Sequence, residues 1–417
     1  MVIDIDSYIR DFTFHEKRDL FNLDSNVGKT RVEKQFVDGI YISKYINEFW
    51  TSRQRQASAL HEIAYRACFK PQLPRFFIQL LTTKGDLVYD PFVGRGTTAI
   101  EAGLLGRMVV ANDVNPLSIM LTRPRFDIPN SREVKERLDR IKIDRSAKAE
   151  IDLSMFYHSQ TEAEICSLRD YLRERKEVGK EDHLDAWIRM VATNRLTGHS
   201  KGFFSVYTLP PNQAVSSESQ RRINEKRNQK PDYRNTKELI LTKTRHLISG
   251  LSETQKKDMK EIGDEAIFLN VDSRLTKEIQ NEVVQLTVTS PPFLNVVQYA
   301  EDNWLRCWFN SINANEIAKR IVMAKTLTEW SNFIGEVFQE LYRITKRGGW
   351  VAFEVGEIQG GKINLDEYVV PLGLSVGFNC EGIIINEQDF TKTSNIWGIR
   401  NNRSGTNTNR VVMFKKE

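Results

Sequence analysis

The 417-residue chain has only four cysteines, Cys68, Cys166, Cys307 and Cys380. No two of them stand in a C-x-x-C spacing, so neither a zinc ribbon nor a disulfide framework is expected; they read as packing thiols in a reducing compartment. No run of 18 apolar residues occurs, which excludes a membrane-spanning helix, and no repeat or low-complexity tract breaks the chain. There are six histidines, and none has a partner at metal-ligand spacing. His199 is read as a hydrogen-bonded loop histidine, and no metal is expected. The opening Met1-Val-Ile-Asp-Ile-Asp6 lacks a basic and then apolar leader, so a cytoplasmic location is expected. What remains is a globular composition, 40% apolar and 28% charged, with a formal charge of +5. The length suits two or three domains.

Against that plain background the run Leu286-Thr-Val-Thr-Ser290-Pro291-Pro292-Phe293 stands out. It reads as a strand halted by two prolines, which have fixed φ and no N–H to donate. Such a rim holds the Ser290 hydroxyl and the backbone carbonyls as acceptors beside an aromatic ring. A planar group bearing an NH2 fits it, a nucleobase with an exocyclic amine above all. A strand ending in an ordinary Pro-Pro turn would show the same four residues, so a second motif has to decide.

Residues 86–98, Asp-Leu-Val-Tyr-Asp-Pro-Phe-Val-Gly-Arg-Gly-Thr-Thr, supply it. Leu87–Tyr89 reads as a short buried strand ended by Asp90-Pro91. Gly94 and Gly96 can take positive φ and admit a ligand close to the backbone. Thr97 or Thr98 would cap a helix running to Leu105 and closed by Gly106. Met108–Ala111 reads as the next strand, ending at Asn112-Asp113. Strand, glycine turn, helix, strand, acid is half of a doubly wound nucleotide-binding fold, with Asp113 near the offset at which a carboxylate meets a ribose hydroxyl. The third glycine of the dinucleotide fingerprint is missing, and Asp90 would repel a phosphate. A ligand with a ribose, an amino group and no phosphate fits better, and S-adenosylmethionine meets that description.

Together, Asp-Pro-Phe-Val-Gly-Arg-Gly-Thr-Thr and Thr-Ser-Pro-Pro-Phe resemble the motifs of the DNA amino-methyltransferases, over residues 65–125 and 263–417. The resemblance implies an α/β fold with a Rossmann-like S-adenosylmethionine-dependent core: a mostly parallel sheet with helices on both faces. It implies cofactor contacts at Asp90, Phe92, Gly94, Gly96, Thr97, Asp113 and Asp272, the last on a third strand at 267–273. It also implies a catalytic Ser290, Pro291, Pro292 and Phe293, the form with serine first going with cytosine N4. Adenine N6, or RNA, is the alternative. Ser290 Oγ and the Pro291 carbonyl would accept from the amine, and Phe293 would stack on a flipped base. A carbon-5 methylase would need a nucleophilic cysteine, yet none of the four follows a proline. Phe69–Leu81 looks like the helix before the cofactor loop. Trp330, Phe333, Ile334, Val337, Phe338 and Leu341 mark an amphipathic helix, Trp350–Val355 a strand and Val411–Phe414 a closing strand. Residues 391–398 and 405–410 resemble the last motif blocks.

From Asp113 to Asp272 is 159 residues (272 − 113), where one helix and two loops would suffice. A mainly helical target-recognition subdomain is therefore expected at 119–262, with a catalytic domain at 65–118 and 263–417 and a lead-in or cap at 1–64. In that cap Tyr45, Phe49 and Trp50 would be anchors, and Arg53, Arg55 and His61 would face DNA or cofactor or simply close the core. In the resembling family the recognition region lies between the two motifs; here it precedes the third strand. Across 201–250 ten Lys/Arg face four Asp/Glu, a net of +6 that exceeds the charge of the whole chain. Lys201, Arg221, Arg222, Lys226, Arg227 and Lys230 are the expected phosphate contacts of double-stranded DNA, with Asn212, Gln213, Asn224, Asn228 and Gln229 as candidate base readers. A cognate restriction endonuclease is the expected partner in the cell.

Overall fold

A computed structural model describes residues 4–13, 29–50, 57–65, 68–210, 214–292, 299–321, 324–358, 363–387 and 408–417. Eleven strands are formed among them: β1 (Arg31–Val37), β2 (Ile40–Asn47), β3 (Leu87–Asp90), β4 (Met108–Asn112), β5 (Ile267–Leu269), β6 (Val284–Thr289), β7 (Thr345–Val355), β8 (Glu357–Ile358), β9 (Ile363–Asn364), β10 (Asn379–Glu387) and β11 (Thr408–Lys415). Nine build one sheet in the order β1-β2-β10-β11-β7-β6-β3-β4-β5, and β8 pairs with β9. Strands β5, β4, β3, β6 and β7 run parallel to one another. They are apolar on both faces, as a parallel strand with helices above and below must be. Strand β11 enters antiparallel between β7 and β10.

The chain moves outward from β3 to β4 to β5, then returns to β6 on the other side of β3 and continues to β7. The direction therefore reverses between β3 and β6. In a doubly wound sheet a crevice opens at that switch point, outside the carboxyl ends of the two strands. The glycine turn leaves β3 there, and Ser290-Pro291-Pro292 leaves β6 there.

One core packs on each face of the sheet. On one face lie the helix Leu327–Ile344, through Trp330, Ile334, Val337, Phe338 and Leu341, and the helix Asp366–Ser375. On the other lie the helices Gln72–Leu81 and Thr97–Leu104 and the helices between β4 and β5. Helix Leu327–Ile344 matches its predicted pattern, but β7 begins at once at Thr345, so Gly348 and Gly349 lie within the strand rather than before it.

The lead-in differs from a simple cap. Residues 31–47 form a hairpin, turned by Asp38-Gly39 with both φ positive, and β2 pairs parallel with β10. It extends the sheet by two strands. Phe12, Phe49, Trp50, Phe76 and Phe77 then form a ring cluster with centroids 5.1–6.3 Å apart, so the aromatic anchors do bury. Among the described residues the chain between β4 and β5 has helices as its regular elements, from Pro116 to Glu265, joined by loops such as 196–210. Its last helix, Glu253–Glu265, packs on the sheet layer: a Cβ on Gly103 would lie 2.8 Å from Met259 Sδ, and one on Gly263 would lie 2.5 Å from Phe126 Cβ. A boundary at 262 therefore cuts a helix of the catalytic layer.

Candidate active site

The two motifs line a single cavity. Its wall holds Asp90, Phe92, Gly94, Thr97 and Asp113 on one side and Ser290, Pro291 and Pro292 on the other, with Tyr65, Asn115, Asp272, Arg320 and Phe333 completing it. A direct tie joins the sides: Thr289 Oγ1 donates to Asp90 Oδ1 over 2.7 Å, and Thr98 Oγ1 donates to the Val288 carbonyl over 3.0 Å.

Asp90 is fully buried, and burial pushes its carboxyl up to about 7 against the hydrogen bonds from Thr289 and the Phe92 N–H. Among the described residues no cation pairs with it. A buried carboxylate without a counter-charge favours a cationic ligand group beside it and disfavours a phosphate. Gly94 takes φ +51 and faces the cavity with room to spare, since a Cβ there would stand 3.7 Å from Cys68 Sγ and 3.8 Å from Tyr65. Gly96 does something else. At φ +84 it is the N-cap of the helix, and a Cβ would lie 2.5 Å from Thr122 Oγ1 and 2.8 Å from the Arg125 guanidinium. Its smallness serves helix packing, not ligand approach, and neither Thr97 nor Thr98 caps that helix.

Asp113 lines the cavity, but both its oxygens already accept backbone N–H groups, from Gly94 at 3.0 Å and Asn115 at 2.9 Å. It fixes the glycine turn to the end of β4. Burial raises its carboxyl. Asp272 follows β5 by three residues and is gripped by Arg274, Nη2 to Oδ2 at 2.7 Å; that hydrogen bond holds the carboxyl below its ordinary range. Behind the turn, two buried arginines bind carbonyls instead of acids. Arg95 donates to Ile63 and Phe69, and Arg125 to Leu60, Leu121 and Arg95. They hold Leu60, Ile63 and Phe69, near Tyr65 and Cys68 on the cavity wall. His61 faces neither DNA nor cofactor: it is buried against Glu101, Nε2 to Oε1 at 2.6 Å. Arg53 and Arg55 lie outside the described residues.

The ledge is fastened at both ends. Trp330 Nε1 donates to the Pro292 carbonyl at 3.0 Å. Glu354 on β7 lies beside the Ser290 hydroxyl, which acts to lower its carboxyl, and accepts from Asn409 Nδ2 at 2.9 Å. Glu354 is buried, and burial raises its carboxyl. A hydroxyl proton turned to Glu354 leaves the Ser290 lone pairs for the cavity, as an acceptor. Sequence reading missed Glu354. The available signal was one acid inside the otherwise apolar Trp350-Val-Ala-Phe-Glu-Val355. Phe293 and residues 391–398 lie outside the described residues, and of 405–410 only 408–410 lie inside them, at the start of β11.

In the expected DNA reader, Arg221–Arg227 lie on the helix Ser217–Arg227. Lys201, Lys226 and Lys230 are exposed. Arg221 pairs with Asp152 at 2.7 Å, Arg222 with Glu218, and Arg227 lies 3.8 Å over the Tyr207 ring. Asn224 and Gln229 cannot serve as base readers in this arrangement. Asn224 Nδ2 donates to the Met155 carbonyl at 2.8 Å, and Gln229 Nε2 donates to the Tyr207 carbonyl at 3.0 Å and to Asn224 Oδ1. Asn228 takes φ +47 at the helix C-cap, while Asn212 and Gln213 lie outside the described residues. His199 contacts the Phe203 ring in its loop.

Comparison with known proteins agrees with the motif reading. The DNA methylase family model matches residues 12–120, which hold the glycine turn and end before the tetrapeptide. The Type II methyltransferase M.BsoBI of Geobacillus stearothermophilus is 28% identical over 102 residues, 24% of this chain and 20% of that protein. M.MvaI of Kocuria varians, also a Type II methyltransferase, is 33% identical over 93 residues, 20% of each. A tRNA (guanine(10)-N2)-dimethyltransferase of Methanocaldococcus jannaschii is 36% identical over 63 residues, 15% of this chain and 18% of that one. The chain thus spans about a fifth of the length of the curated relatives it matches. Among solved structures, a geranyl diphosphate C-methyltransferase from Streptomyces coelicolor covers 83% of this chain and 80% of its own, at 9% identity and a TM-score of 0.34.

Proposed function

We propose that this chain, matched over residues 12–120 by the DNA methylase family, transfers a methyl group from S-adenosylmethionine to cytosine N4 in a base flipped out of duplex DNA, at a specific site, as the modification partner of a restriction nuclease. The observation that carries the reading is the single cavity at the sheet's switch point, walled by the glycine turn and by Ser290-Pro291-Pro292. The residues fit the cofactor. Uncompensated Asp90 suits a cationic amino group, the open face of Gly94 admits ribose, and Asp113 and Asp272 are acceptors on the same wall. When bound, S-adenosylmethionine supplies the electrophilic methyl group.

The N4 lone pair of cytosine is delocalised into the ring and attacks poorly. Ser290 Oγ accepts from the amine and draws it toward tetrahedral geometry, and Pro291 and Pro292 hold that oxygen still. Much of the rate would come from holding that nitrogen in line with the methyl group that S-adenosylmethionine would supply. The methylated amine is cationic and acidic. Its proton passes to Ser290 Oγ while the Ser290 proton passes to the Glu354 carboxylate, which burial makes a better base. Exposed Lys201, Lys226 and Lys230, with Arg221, Arg222 and Arg227, neutralise phosphates and hold the duplex.

The test is to incubate duplex DNA with the protein and methyl-labelled S-adenosylmethionine, digest to nucleosides and weigh them. N4-methyldeoxycytidine is expected. Methyldeoxyadenosine as the sole product would replace the cytosine reading with adenine N6, and label appearing only in RNA would replace the substrate.

A further inference from the structure

Resting on that reading of the cavity, we infer that Arg306 is a positioning residue for the cofactor: it holds the Ala64–Tyr65 peptide so that the Tyr65 ring stands beside Gly94 as a wall of the cofactor's seat. Tyr65 is buried and lines the cavity together with Asp90, Gly94 and Asn115. A Cβ built on Gly94 would stand 3.8 Å from Tyr65 Cε1, so the edge of the ring bounds the space that this glycine leaves open. At its far end the phenol oxygen accepts from Asn115 Nδ2 at 3.2 Å. Tyr65 lies in no helix or strand, so no ladder of backbone hydrogen bonds sets its near end.

Arg306 sets that end. It is buried on the helix Trp304–Phe309, 242 residues after Ala64. Its Nη2 donates to the Ala64 carbonyl at 3.0 Å, and its guanidinium carbon lies 5.8 Å from the centre of the Tyr65 ring. Nη1 donates to Asn303 Oδ1 at 2.9 Å, which fixes the direction of the fork. The Ala64 carbonyl also accepts from Asn194 Nδ2 at 3.4 Å, near the end of the helix His183–Arg195 in the inserted region. Burial pushes the Arg306 guanidinium down, so the charge is kept there at a cost. A planar fork can serve a carbonyl and a ring together, where a lysine would offer a single point of charge. Arg306 is not among the described residues that line the cavity, so it acts on the cofactor through Tyr65. Each link from Arg306 to Ala64, Tyr65 and Gly94 is a direct contact or a peptide bond.

The test is a double-mutant cycle on the full chain without DNA, read by calorimetric binding of S-adenosylhomocysteine. Arg306→Met keeps an unbranched side chain and removes its donors. A Tyr65 wall that is then in place for about a tenth of the time raises the dissociation constant about tenfold. Tyr65→Ala, which deletes the ring, should weaken binding by about tenfold or more. In the Tyr65→Ala background, Arg306→Met should add less than about twofold, because the wall it positions is already gone. A merely structural role would cost the same in both backgrounds. Asn194→Ala removes the other donor to the Ala64 carbonyl; it should show the same pattern at about threefold and carries the test if Arg306→Met does not fold. An unchanged dissociation constant, or an equal loss in both backgrounds, overturns the positioning role. A wild-type protein that binds no S-adenosylhomocysteine overturns the underlying reading of the cavity instead, so the two failures are distinguishable.

Discussion

Replacing Glu354 by glutamine changes one atom in a buried site and inverts the chemistry of its neighbour. In the wild type the carboxylate accepts from Asn409 Nδ2 and stands beside the Ser290 hydroxyl. Glutamine offers one oxygen and one NH2. If the oxygen serves Asn409, the NH2 faces Ser290, takes one of its lone pairs and turns its O–H toward the cavity. If the oxygen serves Ser290, two NH2 groups collide at Asn409. The first arrangement sets the Ser290 O–H against the substrate amine, and the second loses the Asn409 hydrogen bond; each costs about 1–3 kcal/mol. Borne by the transition state, that is a loss of roughly 10- to 100-fold in kcat, with cofactor affinity unchanged. The pH profile gives a sharper reading. Glu354 acts as a carboxylate, and burial lifts its titration above the ordinary range, so wild-type kcat should rise with pH as the folded group loses its proton. In Glu354→Gln that acid limb should vanish, leaving a low, flat rate. Single-turnover rates between about pH 5 and 8 in both proteins measure it. A variant with kcat within twofold of wild type, or with the same acid limb, refutes the assignment of Ser290 as an acceptor set by Glu354.

Further outcomes follow from the same geometry. Ser290→Ala removes the acceptor outright and should lower kcat by about 10²–10³ with calorimetric cofactor binding intact. Asp90 titrates at about 7 in the fold against 3.8 free, so the folded state binds the extra proton and stability falls as pH rises from about 4 to about 7, by on the order of 4 kcal/mol. Asp90→Asn should flatten that slope in denaturant melts, and should also abolish a tightening of cofactor binding as pH approaches 7. Gly96→Ala forces a Cβ to within 2.5 Å of Thr122 at positive φ and should destabilise by about 1–3 kcal/mol or more, read as a lowered Tm. Lys226→Ala with Lys230→Ala should weaken duplex binding and reduce the log–log salt slope by about 0.9 per charge, leaving kcat at saturating DNA unchanged.

The strands at 87–90, 108–112 and 267–269 and the helix 327–344 were legible because each buries a local pattern: a short apolar run or a three- and four-residue stripe. The cavity was legible because its two walls are chain segments with fixed backbone chemistry, prolines and glycines. What escaped depends on contacts distant in sequence. The hairpin 31–47 joins the sheet by pairing with a strand more than 330 residues later (383 − 44 = 339), which no local window contains. Glu354 looks like an isolated acid until Ser290 and Asn409 arrive beside it. Asn224 and Gln229 look like free readers until the Met155 and Tyr207 carbonyls claim them. Gly96 resembles Gly94 in the motif, yet only packing against Thr122 and Arg125 reveals its different purpose.

The central claim is that one cavity holds the methyl donor against an amine gripped by Ser290. A crystal structure with S-adenosylhomocysteine and a duplex carrying the methylated site tests it most directly. The account predicts the adenosine against Gly94 and Asp113, and an extruded cytosine with N4 within about 3 Å of Ser290 Oγ. A cofactor seated away from the glycine turn, or a flipped base whose amine does not touch Ser290, would contradict it.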